Sequence, residues 1–426
     1  MATRVMLDGN GAATEALRLA RVKVISAYPI TPQSPIAEKL ASYVASGELD
    51  ARYVRVESEH TAMSCAVGAQ LTGVRAGTAT SSVGLALMYE VLGVASGLRL
   101  PIVMPVVNRA LVAPWSLWCD HQDTMAARDT GWLQLYAQNA QEVLDLLLCA
   151  YRWGEDERVL LPVMVGLDGF FLSHAIEPVS LPDQKEVDAF LPPYEPKNLV
   201  LDVDNPVFVN NLTPPAEFTE MKYQSRVAMD RAPSVLAEVF AGFKEKFGRS
   251  YSLTEAYRCD DAEAVLVAMG SAAGTTRFAV DKLRSAGKKV GMLKITAFRP
   301  FPAEEVRKAL WGVPVVGVLD RSSGLGGRLG PVATEVRSAL MGDRPVMDFF
   351  AGFGGRDLTI ASVEKAFALL LGADKAPGAD KAPAADKALG ADKARVAAGA
   401  VAGPDEPVWL DVRDDALTIR EVGAHA

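Results

Sequence analysis

The sequence predicts an α/β chain: a parallel sheet with helices on both faces, of the kind that binds a cofactor at strand ends, then a second α/β unit and a low-complexity tail. Three observations predict it. Apolar runs that read as strands buried on both faces, residues 100–107 (LPIVMPVV) and 159–166 (VLLPVMVG), alternate with helical stretches such as the amphipathic residues 138–153. A second strand, loop and helix series begins near Asp261. From Gly372 an ADKA motif returns every six residues, interrupted by prolines, in a composition unable to bury a core. The divisions expected are residues 1–235, 255–370, a repeat linker over 372–399 and a C-terminal extension over 400–426.

In order, an Ala-rich helix over 12–21 precedes a strand at 23–27 and the loop Tyr28-Pro29-Ile30-Thr31-Pro32-Gln33-Ser34-Pro35. Three prolines in seven residues exclude a helix interior or central strand, so this is a rigid loop at a strand's carboxyl end, ahead of a helix over 36–43. Residues 54–68 (VRVESEHTAMSCAVG) change from strand alternation to small helix formers, which puts Glu57, Ser58, Glu59 and His60 at a strand-to-helix junction. Residues 72–84 (TGVRAGTATSSVG) give a strand and a hydroxyl-rich loop before a helix over 85–96. The strand at 100–107 ends at Asn108-Arg109, ahead of a loop holding Trp115, Trp118 and Cys119. The proline-rich residues 178–206 read as an irregular excursion over the surface or along a partner, and residues 232–248 as a helix bridging domains. Residues 264–269, 289–294 and 313–319 are strands of the second unit, whose GSAAG turn at 270–274 lacks both Walker and GxGxxG spacing. Val408-Trp409-Leu410-Asp411-Val412 is a short apolar patch able to pair with another element.

Composition narrows the function. The 426 residues are 50% hydrophobic and 23% charged, as in soluble α/β enzymes, with a formal charge of -8 that argues against a nucleic-acid surface. Cys65, Cys119, Cys149 and Cys259 are widely spaced without a CxxC pair, which argues for reduced thiols in the cytoplasm and against a metal or cluster held by this chain. No apolar run reaches the length of a membrane span.

Residue types at strand ends mark the candidates, each with a bland alternative. A carboxylate in a helix's first turn, Glu57 or Glu59, can serve catalysis or offset the unpaired N–H groups there. Thr31 can bind a ligand or close a turn. Arg109 can clamp a carboxylate or pair internally with Asp120, Asp123 or Asp129.

YPITPQSP, ESEHTAMSCAVGA, NRALVAPWSLWCDHQD, RDTGWLQLYAQN and LLPVMVGLDGFFLSHAIEPV, in this order over roughly residues 5–350, resemble the alpha subunit of the 2-oxoacid:ferredoxin oxidoreductases of the pyruvate synthase type. The resemblance implies a pyrimidine-type thiamine diphosphate fold, then a transketolase C-terminal-like domain. It implies CoA-acylating oxidative decarboxylation of a 2-oxo acid, active only with beta, gamma and delta-type subunits in a dimer of heteromeric protomers. A beta subunit would bind the diphosphate and Mg2+, in keeping with the lack of a GDG motif here, and partner subunits would hold the iron–sulfur clusters. Electrons would go to ferredoxin or an NAD-linked acceptor. Glu59 would hydrogen-bond the aminopyrimidine, beside Tyr28 and Pro29; Thr31 and Arg109 would hold the substrate, near Trp118 and Cys119. Cys119 and the tryptophans suit a larger acid such as phenylglyoxylate, giving benzoyl-CoA, as well as pyruvate. The rival readings are a non-catalytic scaffold subunit and a transketolase-like C–C transferase half. His60 reads as a packing or partner contact.

Overall fold

The computed structural model describes residues 3–342, 344–372 and 406–412. They form two compact units, the first comprising residues up to Glu255 with Met269–Ser271 and Ile295–Pro302.

The first unit runs β1 (Thr3–Leu7), α1 (Gly9–Leu19), β2 (Val24–Ala27), α2 (Ser34–Ser46), β3 (Arg52–Arg55), α3 (Glu59–Leu71), β4 (Ala76–Gly77), α4 (Ser82–Leu87), α5 (Tyr89–Gly97), β5 (Val103–Asn108), α6 (Gln122–Ala126), β6 (Leu133–Tyr136), α7 (Ala140–Gly154), β7 (Val163–Asp168), β8 (Glu177–Leu181), α8 (Gln184–Phe190) and α9 (Pro215–Phe247). The chain continues through β9 (Thr254–Tyr257), β10 (Ala264–Met269), α10 (Ala272–Ser285), β11 (Val290–Ile295), β12 (Ala297–Arg299), α11 (Ala303–Leu310), β13 (Val315–Asp320), α12 (Pro331–Ala339), β14 (Val346–Phe350), α13 (Ile360–Gly372) and β15 (Val408–Trp409).

The main sheet of the first unit has the order β12-β6-β7-β5-β4-β2-β3, parallel except for β12, which runs antiparallel to β6. β5 and β7 pair from Val103↔Val163 to Asn108↔Asp168, and every residue of both is buried. That burial explains why they read as unbroken apolar runs. α7 is buried almost throughout, with the Trp153 ring nitrogen donating to the Ala232 carbonyl of α9 at 2.8 Å. β2 leads through α2 to β3 on one side, whereas β4, reached from β3 through α3, leads on to β5 on the other, so the strand order reverses between β2 and β4. Ligand sites of open α/β sheets lie at the carboxyl ends beside such a reversal.

The second unit has a six-stranded sheet, β15-β14-β13-β10-β11-β9, with α13 packed against α10. The apolar patch at 408–412 finds its partner here: Val408 and Trp409 pair parallel with Phe349 and Phe350. The repeat over 373–399 lies outside the described residues, as does most of the C-terminal extension.

Four expectations are corrected. The helix over 85–96 is two, α4 and α5, because the Met88 N–H bifurcates between the Gly84 and Leu85 carbonyls and closes the first helix in a tighter turn. The excursion over 178–206 opens on regular structure: β8 pairs with β1, and α8 starts in a capping box of Asp183 and Glu186. The helix at 232–248 starts at Pro215 instead, and it lies inside the first unit rather than between units. Its first three turns bury nothing, so the apolar period that signals a helix begins only at Ala228. The strand read in 72–84 is only Ala76–Gly77.

Candidate active site

Four loops at the carboxyl ends of β2, β3, β4 and β5 carry the candidate residues. After β3, Ser58 caps α3, its hydroxyl accepting from the Thr61 N–H at 3.2 Å. Glu57 is exposed and accepts from the Thr61 hydroxyl. These two meet the needs of the helix start, which frees Glu59 from that duty. Glu59 is 6% exposed, and its carboxylate takes no hydrogen bond among the described residues. A buried carboxylate left without a donor is costly in a site meant only for packing.

The β4 loop packs beneath it. A Cβ at Gly84 would lie 2.6 Å from both Glu59 Oε1 and Thr80 Oγ1, so both oxygens face the bare face of this glycine. The buried hydroxyls of Thr78, Thr80 and Ser81 lack partners among the described residues. Ser82 sits at φ 49°, its hydroxyl donating to the Ala110 carbonyl at 2.5 Å.

Arg109 follows β5 and is 5% exposed. Its Nε donates to the Ser116 carbonyl at 3.0 Å and its Nη1 to the Thr31 carbonyl at 2.8 Å. It makes no ion pair with Asp120, Asp123 or Asp129 among the described residues, so the internal-pair alternative is excluded. Two of its five N–H donors fix the guanidinium on the β2 loop and its own loop, and the remaining three stay available for a carboxylate. Burial pulls its pKa down and Asp123 opposes that, but an arginine stays charged throughout. Thr31 is itself exposed, with Tyr28 half-buried and Pro29 exposed on the same loop.

Asp123 links these loops. One carboxylate oxygen accepts from Asn108 Nδ2 at 2.8 Å and the Thr124 N–H at 2.7 Å; the other accepts from the Arg109 and Ser82 N–H groups, both at 3.0 Å. Full burial raises its carboxyl to about 6 against the lowering pull of these donors. A contact chain therefore runs from Glu59 through Gly84 and Ser82 to Asp123, Arg109 and Thr31. Sequence reading weighed Asp123 only as a salt-bridge partner and passed over Thr80 and Gly84. The signal available was the polar run DHQD closing an otherwise apolar loop.

Beside it, His121 Nε2 lies 2.7 Å from Asp168 Oδ1, and Asp168 Oδ2 accepts from the Ser271 N–H at 3.0 Å and from its hydroxyl. The Cys119 sulfur lies within 4.8 Å of ligand atoms of this pair. Asp168 is already satisfied there, so the group reads as a hydrogen-bonded core. Cys119 is fully buried, whereas Trp115 and Trp118 are 76% and 53% exposed. The aromatic-walled pocket expected of Cys119 and Trp118 is therefore not formed by these three side chains: the sulfur turns into the core and the rings turn outward. His60 is half-exposed, its Nε2 3.6 Å from Glu90.

The strand-end loops of this α/β chain gather a partnerless buried carboxylate and an immobilised arginine, and the class of protein is given by the family models that match it. Residues 15–241 match the family model for the thiamine diphosphate-binding part of pyruvate flavodoxin/ferredoxin oxidoreductase, and residues 262–363 match core domain II of pyruvate:ferredoxin oxidoreductase. The chain belongs to the alpha-subunit family of the 2-oxoacid:ferredoxin oxidoreductases. It is 50% identical to pyruvate synthase subunit PorA of Pyrococcus abyssi over 87% of this chain and 94% of that one. It is 47% identical to ketoisovalerate oxidoreductase subunit VorA of Pyrococcus horikoshii over 84% and 91%. In fold it resembles the 2-oxoglutarate:ferredoxin oxidoreductase of Magnetococcus marinus, at TM-score 0.68 and 18% identity over 86% of this chain and 65% of that one. It also resembles a split-gene transketolase, at TM-score 0.52 and 12% identity over 86% and 98%. No helix among the described residues is long and apolar enough to cross a membrane.

Proposed function

We propose that this chain is the alpha subunit of a cytoplasmic, heteromeric enzyme that oxidatively decarboxylates pyruvate with thiamine diphosphate and forms acetyl-CoA. Partner subunits of beta, gamma and delta type carry the diphosphate and Mg2+ site and the iron–sulfur clusters, and electrons leave to ferredoxin. On this reading residues 1–235 are the pyrimidine-binding domain and 255–370 an assembly domain. The observation that carries it is Glu59, buried at a helix start yet free of capping duty and of any hydrogen bond among the described residues, joined through Asp123 to an arginine with three donors to spare.

These residues fit the cofactor. Glu59 would accept from the pyrimidine ring nitrogen, with Tyr28 and Pro29 walling the same end of the sheet, and the buried Thr80 and Ser81 hydroxyls supply unused polar groups nearby. When bound, thiamine diphosphate supplies the nucleophilic carbon and the sink for the electron pair released with carbon dioxide. Glu59, shielded from water, would be placed to share a proton with the ring nitrogen and so to favour one tautomer of the ring. Arg109, anchored by two carbonyls, orients the substrate carboxylate with Thr31, and its rigidity avoids the entropy loss of ordering a long side chain on arrival.

Pyruvate is favoured because the pyruvate synthase subunits are the nearer of the relatives described, and the branched acid of the ketoisovalerate enzymes stands second. Phenylglyoxylate and an NAD-linked acceptor have no support among them, and the buried Cys119 with its outward tryptophans removes the physical argument for an aromatic pocket. The test is CoA-dependent viologen reduction by the complex isolated on this chain, with pyruvate and 3-methyl-2-oxobutanoate in parallel. Pyruvate should give the higher kcat/KM. Silence with both, in a complex that holds thiamine diphosphate and clusters, would instead favour the scaffold or transferase-half reading.

A further inference from the structure

We propose that the β14 edge of the second unit is a strand-capture site for an extended peptide with an aromatic, an aliphatic and an acidic residue in succession, and that its occupant is this chain's own C-terminal segment, held exchangeably. The receptor side of the site belongs to the second unit's own sheet and helices. β14 is buried along its length, α13 already packs against the strand beside it, and the family-model match ends at residue 363, upstream of the tail. Residues 408–412 then return and add a two-residue parallel bridge, with the Leu410 N–H donating to the Phe350 carbonyl at 3.1 Å.

Three successive side chains of the segment, Trp409, Leu410 and Asp411, find receptors. The Trp409 ring meets Phe350 edge-on at 5.0 Å and lies 5.3 Å from Phe353. Leu410 is 4% exposed and joins the apolar core of the unit. The Ser362 hydroxyl donates to Asp411 Oδ1 at 2.9 Å, Lys365 Nζ to the Leu410 carbonyl at 3.0 Å, and Arg356 to the Asp411 carbonyl. A cavity of about 250 Å3 among Phe350, Phe353, Arg356, Trp409 and Asp411 remains beside the ring. Main-chain pairing for affinity and alternate side-chain pockets for specificity are the two parts of strand addition. Without an occupant, β14 would show an unpaired apolar edge, a surface that folded proteins keep covered.

The fit is incomplete in ways that favour exchange over permanent closure. Trp409 stays 47% exposed, Asp411 Oδ2 is buried without a partner among the described residues, and the ladder is two residues long. A segment held by so few contacts opens well before its unit unfolds.

The test uses the full-length chain in its complex and a labelled nonapeptide of residues 404–412. In the double variant Trp409→Ala/Leu410→Ser the resident segment loses its grip, and the peptide should bind at least tenfold more tightly than to the wild-type complex. A peptide with Ala in place of Trp should lose at least tenfold in the same assay. Equal binding to wild-type and variant complexes would overturn the proposal, as would no binding to either. Binding that ignores the Trp change would overturn the pocket. Hydrogen exchange gives a second reading without variants: the Leu410 amide should exchange far faster than the amides of β13, and matched rates would show a fixed strand instead of a captured one.

Discussion

Asp123→Asn tests whether one buried carboxylate sets the geometry of the candidate site. Each oxygen of Asp123 accepts two N–H groups, so whichever becomes the amide nitrogen leaves two donors facing a donor. Stranding a buried donor costs about 1–3 kcal/mol, hence roughly 2–6 kcal/mol for the pair. Against that stands relief of the buried charge. The carboxyl is raised from 3.8 to about 6, so the folded state holds a proton that the unfolded chain has released, and stability falls as pH rises through that window. At pH 8 the ionised form is therefore worse off by about 3 kcal/mol, which the asparagine removes. The two effects leave stability changed by a few kcal/mol at most. The amide should turn its nitrogen toward whichever pair yields more easily, and the N–H groups of Arg109, in a loop, and Ser82, at the first residue of α4, yield more easily than Asn108 at the end of β5 and Thr124 within α6. Arg109 then loses its backbone anchor while its guanidinium contacts persist. Loss of one hydrogen bond to a charged group, about 1.5–3 kcal/mol, becomes a rise of roughly 10- to 150-fold in KM for the 2-oxo acid, with kcat less affected. Steady-state viologen reduction with graded 2-oxo acid, beside a melting curve at pH 8, gives both quantities. An unchanged KM with a normal melting temperature would remove Asp123 from the positioning of Arg109.

Further tests follow the same geometry. Glu59→Gln should lower kcat by at least about 100-fold, as expected when a proton-transfer group is lost, while melting and subunit assembly stay as in the wild type; near-normal turnover would sink its role. Gly84→Ala places a Cβ 2.6 Å from Glu59 Oε1 and from Thr80 Oγ1, so thiamine diphosphate affinity measured by titration should fall at least tenfold, and an unaltered affinity would show that the carboxylate need not sit there. In the second unit, burial raises Asp348 to about 7, its Oδ2 accepting from the Gly330 N–H at 2.6 Å, and burial together with Asp348 raises Asp320 well above the usual carboxylate range. Raised carboxyls keep protons in the fold that the unfolded chain gives up, so stability should decline from about pH 4 toward pH 7. Asp348→Asn, which can still accept from Gly330, should flatten that decline by on the order of 2–4 kcal/mol in denaturant titrations at pH 5 and 8. A profile as steep as the wild type's would place the titration elsewhere.

Much of the fold could be read from the chain because burial on both faces leaves a local mark. β5, β7, β10 and β13 are continuous apolar runs, and α7 carries its period along its whole length. Elements that leave no apolar period in the chain were not legible: β4 is two residues, and the exposed first turns of α9 show no apolar stripe. At the site, residue type and strand-end placement made Glu57, Glu59, Thr31 and Arg109 candidates with bland alternatives, and the resemblance to the family singled out Glu59, Thr31 and Arg109. From the residues themselves, without the resemblance, choosing between Glu57 and Glu59, or between a clamp and an internal pair for Arg109, required distances, since both alternatives use the same residues. Asp123 was missed as a hub because its partners are mostly backbone N–H groups, which carry no sequence signature. The substrate inference from Cys119, Trp115 and Trp118 failed for a related reason: residue type says what a wall could be made of, not which way the side chain turns.

β12 has a consequence for the order in which this protein can be made. Three residues near position 300 close the edge of a sheet whose other strands were all synthesised before position 169, and Ser271 returns to bond Asp168 of that same unit. At about 5–20 residues per second the ribosome spends several seconds or more on the intervening stretch. For that time the nascent chain carries β6 with one side unpaired. The first unit is therefore complete only after the opening stretches of the second have emerged, and a gene cut at position 255 would leave the first fragment without β12 and divide β9 between the two.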